Sequence, residues 1–259
     1  MELKTFFKFS KEYGIVDWVF ALILFAVSFG IDSISFPDYF VPYINTDISS
    51  PLKTTTFTYS NLLITCMLIC SITIIAIWII FKLEKSIFKV LSCYFLAISL
   101  AMVISSSLKI LIGRPRPDTI ALCDGDGSYT QCQSVLDKNT LKSQFRSLPS
   151  GHATISMGSG VFLTMLLCQI WKSFNMMACF IKLMPVCFAL YVGVTRICDR
   201  TSHSDDVILG YFIGTVISIF VFTSFKYDVE NDEERSENPT VNGVSSSTST
   251  QAMQIRGYT

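Results

Sequence analysis

The stretch that decides the fold is FKVLSCYFLAISLAMVISSSLKILIGRPRP, residues 88–117. Between Lys89 and Lys109 it carries no charge. That apolar run matches the ~20 residues an α-helix needs to cross a bilayer. It stops at Lys109 and turns through Gly113 into Arg114-Pro115-Arg116-Pro117. Two prolines and a glycine make a rigid corner there, and the corner holds several cations in one place.

Five further apolar runs lie near 16–36, 60–81, 153–171, 176–195 and 207–225, so with 88–108 the chain has six predicted spans. Composition agrees. Of 259 residues, 51% are hydrophobic and 15% charged, against about 25% charged in an average soluble domain. Mean hydropathy is +0.50. A soluble enzyme and a disordered chain are both excluded. Net charge is zero, which leaves no electrostatic case for nucleic acid. The expected fold is all-α: a polytopic membrane protein with a six-helix domain over 16–225 and tails at 1–15 and 226–259. Trp18, Trp78, Trp171, Tyr211 and Phe225 sit at span ends, as interfacial anchors do. The first span lacks a strong positive flank and a small-residue cleavage site, so it reads as a retained helix.

Lysine placement predicts the orientation. Lys4, Lys8 and Lys11 precede the first span, Lys82, Lys85 and Lys89 join the second to the third, and Lys172 joins the fourth to the fifth. These segments, and hence both termini, are expected to be cytoplasmic. The 37–59 loop, with Asp38, Asp47 and only Lys53, is expected outside. The basic residues at 109–146 break this pattern and are read as functional. The tail from Asp228 gathers six acidic residues by Glu237 and then a Ser/Thr run at 245–250. It cannot bury a core and is expected to be disordered. Six of nine cysteines lie in apolar spans as small hydrophobes. Cys123 and Cys132 fall in an outer loop, where a disulfide is allowed but nothing in the spacing requires it.

Three polar clusters interrupt the apolar pattern. Lys109 to Pro117 closes the third span, either as an anion site or as cations snorkelling to headgroups. Leu148-Pro149-Ser150-Gly151-His152-Ala153 opens the fourth span. Ser150 suits an N-cap, Gly151 allows close backbone approach, and a helix start attracts phosphate. His152 adds a titratable group beside it, though a capped helix with an incidental histidine reads equally well. The third cluster runs from Thr195 to Asp206 and includes Arg196 and His203. Three residues apart at a helix start, His203 and Asp206 can pair, or the segment is a polar turn with ordinary ion pairs.

In the six-span topology all three clusters share one side of the membrane, and they hold both histidines of the chain. Charge at membrane depth usually marks function. Cations, a helix N-terminus and two imidazoles are what phosphoryl transfer requires. Lys109 followed by six residues and Arg116-Pro117, then Pro149-Ser150-Gly151-His152, then Arg196…His203…Asp206, resemble the three signature motifs of the type 2 phosphatidic acid phosphatase superfamily. The six-span plan is similar to its lipid phosphate phosphatase branch, and the resemblance covers residues 15–225.

That resemblance implies metal-independent hydrolysis of lipid phosphomonoesters through a covalent phosphohistidine, with no cofactor. The substrates implied are phosphatidate, lysophosphatidate, sphingosine 1-phosphate and ceramide 1-phosphate. Lys109, Arg116 and Arg196 would neutralise the phosphate, and Ser150 and the Gly151 amide would hydrogen-bond it. His152 would protonate the leaving group, and His203, oriented by Asp206, would attack. The family pattern places the attacking histidine where this chain has Ser202, one residue before His203. A lone second histidine also resembles the non-catalytic phospholipid phosphatase-related proteins, although those usually lose the first two motifs as well. A transporter that binds an anion is the weakest reading, because no span interior carries paired charges. Asp124 and Asp126 resemble the start of a calcium loop, but the later ligands are missing. The expected partners are a lipid phosphate and the bilayer, in the plasma membrane or the endoplasmic reticulum and Golgi, with the site facing outside or into a lumen. Homo-oligomerisation is left open.

Overall fold

A computed structural model describes residues 13–34, 46–81, 87–173 and 175–237. Among these residues there are nine α-helices and no strand: α1 Ile15–Ser33, α2 Tyr59–Phe81, α3 Ile87–Ile112, α4 Thr119–Cys123, α5 Tyr129–Val135, α6 Lys138–Gln144, α7 Gly151–Ile170, α8 Met176–Cys198 and α9 Ser204–Glu237. A short 3-10 turn covers Thr46–Ile48. Six helices are long and apolar enough to span a bilayer: α1, α2, α3, α7, α8 and the Ser204–Lys226 part of α9. The six expected spans are therefore present.

Several helix ends lie beyond the apolar runs. α3 continues to Ile112, α7 already starts at Gly151, and α9 starts at Ser204. Hydropathy marks the hydrocarbon layer, whereas a helix that has already nucleated gains a hydrogen bond for each residue it adds. As a result Lys109 and Arg196 lie in last turns, and His152 and Asp206 in first turns. α9 itself runs on to Glu237, through Glu and Arg residues that favour helix. Residues 238–259 and the tail at 1–12 lie outside the described residues. The chain divides into two units, residues 1–222 and 223–259.

Within the first unit α7 is the most enclosed span, packed on α2, α3 and α8, while α1 packs on α3. α9 approaches α7 through small residues. A Cβ on Gly214 would lie 2.5 Å from the Thr154 carbonyl, and one on Gly210 would lie 2.6 Å from the Ser150 carbonyl. Small residues of this kind let membrane helices touch backbone to backbone. This contact presses the first turn of α9 against that of α7. The outward faces expose Ile72, Ile80 and Phe212, as expected where the surroundings are lipid. Deep inside, the Tyr94 hydroxyl reaches the Cys66 carbonyl at 3.2 Å and Ser159 Oγ at 3.0 Å, because a polar group in hydrocarbon needs a partner. Lys182, near the start of α8, bends back to the Ser173 carbonyl at 2.9 Å.

The segment between α3 and α7 folds as three short helices around Cys123, Cys132, Leu141 and Phe145. The two cysteines are joined as a disulfide, with Cα atoms 4.9 Å apart, which settles the alternative the sequence left open. The Tyr129 and Phe145 rings meet edge to face at 5.2 Å.

Candidate active site

Each predicted cluster has a local reason for its shape. At the end of α3 the Gly113 amide still bonds the Lys109 carbonyl, and Gly113 then takes φ +62°, a left-handed turn suited to glycine. The chain leaves as Arg114-Pro115-Arg116-Pro117 and pairs with the segment that precedes α7. The Arg116 amide donates to the Gln144 carbonyl at 2.9 Å, and the Ser147 amide to the Arg114 carbonyl at 3.0 Å. The first two motifs are thus laced together. Burial pushes the Arg116 guanidinium below its ordinary value, and the Asp118 and Asp206 carboxylates pull against that shift.

The Leu148–Pro149 bond is cis, and Ser150 stands at the N-cap of α7. Here the expectation needs correction, since Ser150 caps by position but its side chain makes no cap hydrogen bond. Its amide instead donates to the Asp206 carbonyl at 2.9 Å, and its Oγ is buried without a partner. Gly151 follows, and a Cβ there would lie 3.1 Å from Lys109 Nζ and 3.0 Å from Tyr59. The missing side chain is what lets the ammonium lie against the start of α7.

His152 Nε2 is 3.0 Å from the Phe57 carbonyl. A carbonyl only accepts, so Nε2 carries the proton in this arrangement. Arg196 Nη1 donates to the same carbonyl, also at 3.0 Å. The Tyr59 ring meets the imidazole edge to face at 5.5 Å. The loop carrying Phe57 is tied to the end of α8, because Asp199 accepts from the Thr56 amide at 2.7 Å and the Thr56 hydroxyl at 2.9 Å.

α8 ends at Cys198, and Arg200 takes φ +57°. The Thr201 and Ser202 amides fold back onto the Arg196 carbonyl. His203 then precedes α9. Asp206, fully buried, accepts on Oδ2 from the His203 amide at 2.9 Å, from His203 Nδ1 at 3.2 Å and from the Ser147 hydroxyl. Arg114 Nη1 donates to Oδ1 at 3.0 Å and also pairs with Asp205.

A cavity of about 490 Å³ opens beside these groups, and its lining includes Lys109, Arg116, His152, Tyr59, Asp32, Lys142 and Arg146. Its size falls within the ordinary range for a ligand pocket. Lys109, Arg116 and His152 therefore share one wall, while Arg196 joins them through the Phe57 carbonyl. His203 and Asp206 are not among the lining residues and join through the Ser150 backbone. Among the described residues, eight buried side-chain atoms lack a hydrogen-bond partner, and four of them are Arg116 Nε, Ser150 Oγ, Arg196 Nε and His203 Nε2. Unpaired buried polar atoms are costly. Half of them thus lie on predicted site residues. No group of three or more His, Cys, Asp or Glu side chains that could hold a metal ion occurs among the described residues.

Sequence reading assigned no role to Arg114, Ser147, Tyr59 or the Phe57 carbonyl. Arg114 had a signal, its place in the Arg-Pro-Arg-Pro corner. The backbone carbonyl had none, because any residue supplies one. Lys142 and Arg146 belong to the basic residues at 109–146 that break the lysine pattern and are read from the sequence as functional. Lys142 Nζ donates to the Ser33 carbonyl at 2.8 Å, and Arg146 donates to the carbonyls of Asp32 at 2.8 Å and Ile34. They cap the end of α1, where free carbonyls attract cations.

A model of the PAP2 superfamily matches residues 90–230. Lipid phosphate phosphatase 1 of Arabidopsis thaliana is 30% identical over 223 residues, which cover 81% of this chain and 67% of that protein. Phospholipid phosphatase 2 of Homo sapiens is 31% identical over 145 residues, covering 51% of this chain and 50% of the relative. Probable diacylglycerol pyrophosphate phosphatase 1 of Schizosaccharomyces pombe is 30% identical over 129 residues, 45% of this chain and 46% of the relative. The matched region thus spans about half the length of the human and yeast relatives. No solved structure matches.

Proposed function

The chain belongs to the PAP2 superfamily, and on that footing we propose that it is an integral-membrane lipid phosphate phosphatase acting on phosphatidate-type monoesters. The observation that carries this reading is the cation wall: Lys109, Arg116 and His152 line one cavity, with Arg196 joined to His152 through a shared carbonyl. Preorganised cations at the place where charge develops supply most of what phosphoryl transfer needs.

In this reading Lys109, Arg116 and Arg196 hold the phosphate oxygens, and Ser150 and the Gly151 amide add hydrogen bonds. With Nδ1–H given to Asp206, the neutral His203 ring carries its lone pair on Nε2, the nitrogen without a partner. Nε2 attacks phosphorus, the bond from phosphorus to the lipid oxygen breaks, and protonated His152 gives its proton to the departing alkoxide. His152 then takes a proton from water, the hydroxide displaces His203, and phosphate leaves. The cations neutralise the phosphate, and no step calls for a metal. The site faces outside or into a lumen.

A second reading keeps the lipid site and drops the chemistry. It is favoured by one observation, Ser202 at the position where the family pattern has its attacking histidine. Phosphate release from phosphatidate by the purified protein, with His152→Ala as control, decides between them. Release that the control abolishes supports the enzyme. A wild type as inactive as the control supports the binding protein.

A further inference from the structure

The Asp206 carboxylate is a junction rather than a simple partner for His203. Its Oδ2 takes three donors: the Ser147 hydroxyl, the His203 amide and His203 Nδ1. Among the described residues the donor to Oδ1 is Arg114 Nη1, at 3.0 Å. The same guanidinium pairs with the exposed Asp205 and lies 3.8 Å from Asp47. The Arg114–Asp205 and Arg114–Asp47 contacts are surface ion pairs of the kind that contribute little. The bond to Asp206 differs, because that carboxylate has no exposure at all.

The last side-chain torsion of an aspartate is broad, so donors on one oxygen fix the plane of the carboxylate less firmly than donors on both. With Oδ1 free, the plane of Asp206 can tilt and misalign the acceptor for Nδ1. A guanidinium on Oδ1 opposes that tilt. Arg114 reaches this position because Gly113 turns the chain left-handed and Ser147 clamps the Arg114 carbonyl. Burial works against the charge on Arg114, but the Asp205 and Asp206 carboxylates outweigh it and hold the guanidinium above its ordinary value.

The geometry points to Arg114 as a positioning residue that acts on the reaction through Asp206, locking the carboxylate that aims His203, without touching the substrate. Arg114 is absent from the cavity lining, unlike its neighbour Arg116. The two arginines of the corner thus divide the work: Arg116 faces the ligand and Arg114 faces the carboxylate. This inference rests on the phosphatase reading above, with His203 as nucleophile.

The test uses the full-length protein purified in detergent with a short-chain phosphatidate. The variants are Arg114→Gln, Arg114→Lys, Asp206→Asn and the double variant Arg114→Gln/Asp206→Asn. Loss of aim lowers turnover without weakening binding, so Arg114→Gln should lower kcat about 100-fold, the order of loss a misplaced group causes, with KM within about threefold of wild type. Lysine keeps one charged donor near Oδ1, so Arg114→Lys should recover activity to within about tenfold of wild type. Residues that act through one group are not additive, so the double variant should be within about threefold of Asp206→Asn alone. A rise in KM with kcat unchanged would make Arg114 a substrate-binding residue and overturn the proposal. Penalties that multiply in the double variant would overturn it as well. If Arg114→Gln does not fold, Arg114→Lys decides: a folded lysine variant as inactive as Asp206→Asn overturns the proposal, and one within tenfold of wild type upholds it. An inactive wild type defeats the phosphatase reading itself, whereas an active wild type with an indifferent Arg114→Gln defeats only the role of Arg114.

Discussion

Asp206 holds His203 twice with one oxygen: Oδ2 accepts the His203 amide at 2.9 Å and the His203 Nδ1–H at 3.2 Å. The first bond is a helix cap. His203 precedes Ser204, the first residue of α9, and a side chain three positions on that reaches back to the N-cap amide is a capping-box arrangement. The second bond orients a ring. Because the cap fixes a separation of three residues, the imidazole at the N-cap is the one Asp206 can hold. The Ser202 amide folds instead onto the Arg196 carbonyl at 3.3 Å. Between Cys198 and His203 the chain turns with Arg200 at φ +57°.

From this pairing follows a pair of substitutions with opposite expectations. His203→Ala should abolish phosphate release, since no third histidine is present to replace it. Ser202→His should change the rate little, because Asp206 already holds His203 Nδ1. If the wild type is nearly inactive and Ser202→His raises activity strongly, the site is degenerate and the binding-protein reading takes its place. A phosphate-release assay on three purified proteins reads both outcomes.

Gly151 is the second point of leverage. A Cβ there would lie 3.0 Å from the Tyr59 ring and 3.1 Å from Lys109 Nζ; the far end of a lysine moves at small cost, and the ring must give by a few tenths of an ångström. Gly151→Ala should therefore fold with at most a modest drop in melting temperature. The displaced ammonium should lower kcat/KM by about tenfold or more, as small misplacements in phosphoryl transfer do. Wild-type kinetics in Gly151→Ala would show that Lys109 has no fixed place at the phosphate.

How much of this was legible in the sequence differs by element. The six spans were, because each is a long run with few charges, and hydrocarbon tolerates little else. Lys109, Arg116 and His152 were singled out from motif spacing, and they share one cavity wall. Helix ends were less legible, since α7 begins at Gly151 inside the polar cluster and α9 outruns its apolar part to reach Glu237. The Phe57 carbonyl was invisible, because a backbone acceptor leaves no residue-type signature. Arg114 was visible as a charge but not as a partner of Asp206, a contact that spans 92 residues of sequence.

Hydrolysis should persist in excess EDTA. The charge that offsets the phosphate is proposed to come from Lys109, Arg116 and Arg196, three fixed cations of the protein itself. Activity lost in EDTA and restored by Mg²⁺ would overturn that mechanism.

The orientation inferred from the lysines predicts that a tag in the 120–140 segment is reached from outside intact cells. A tag after Lys226 should be reached only once the cells are permeabilised. An antibody-accessibility experiment settles both. A cytosolic 120–140 tag would place the cation wall on the other leaflet and overturn the proposed side of action.

The Cys123–Cys132 disulfide gives an independent handle on the same question, because such bonds persist in oxidising compartments. It staples the small core of Leu141 and Phe145, and the adjoining α6 supplies Asn139, Lys142 and Ser143 to the lining of the cavity. Removing it should therefore act on binding more than on chemistry. Cys132→Ser should lower the melting temperature, in keeping with the roughly 2–4 kcal/mol a disulfide typically contributes. It should also raise KM several-fold while kcat stays near wild type, because Lys109, Arg116 and His152 lie on other elements. A fall in kcat with KM unchanged would mean that the staple supports the reacting groups directly. Two free thiols titrated at these positions in the native membrane would show that the loop faces a reducing compartment.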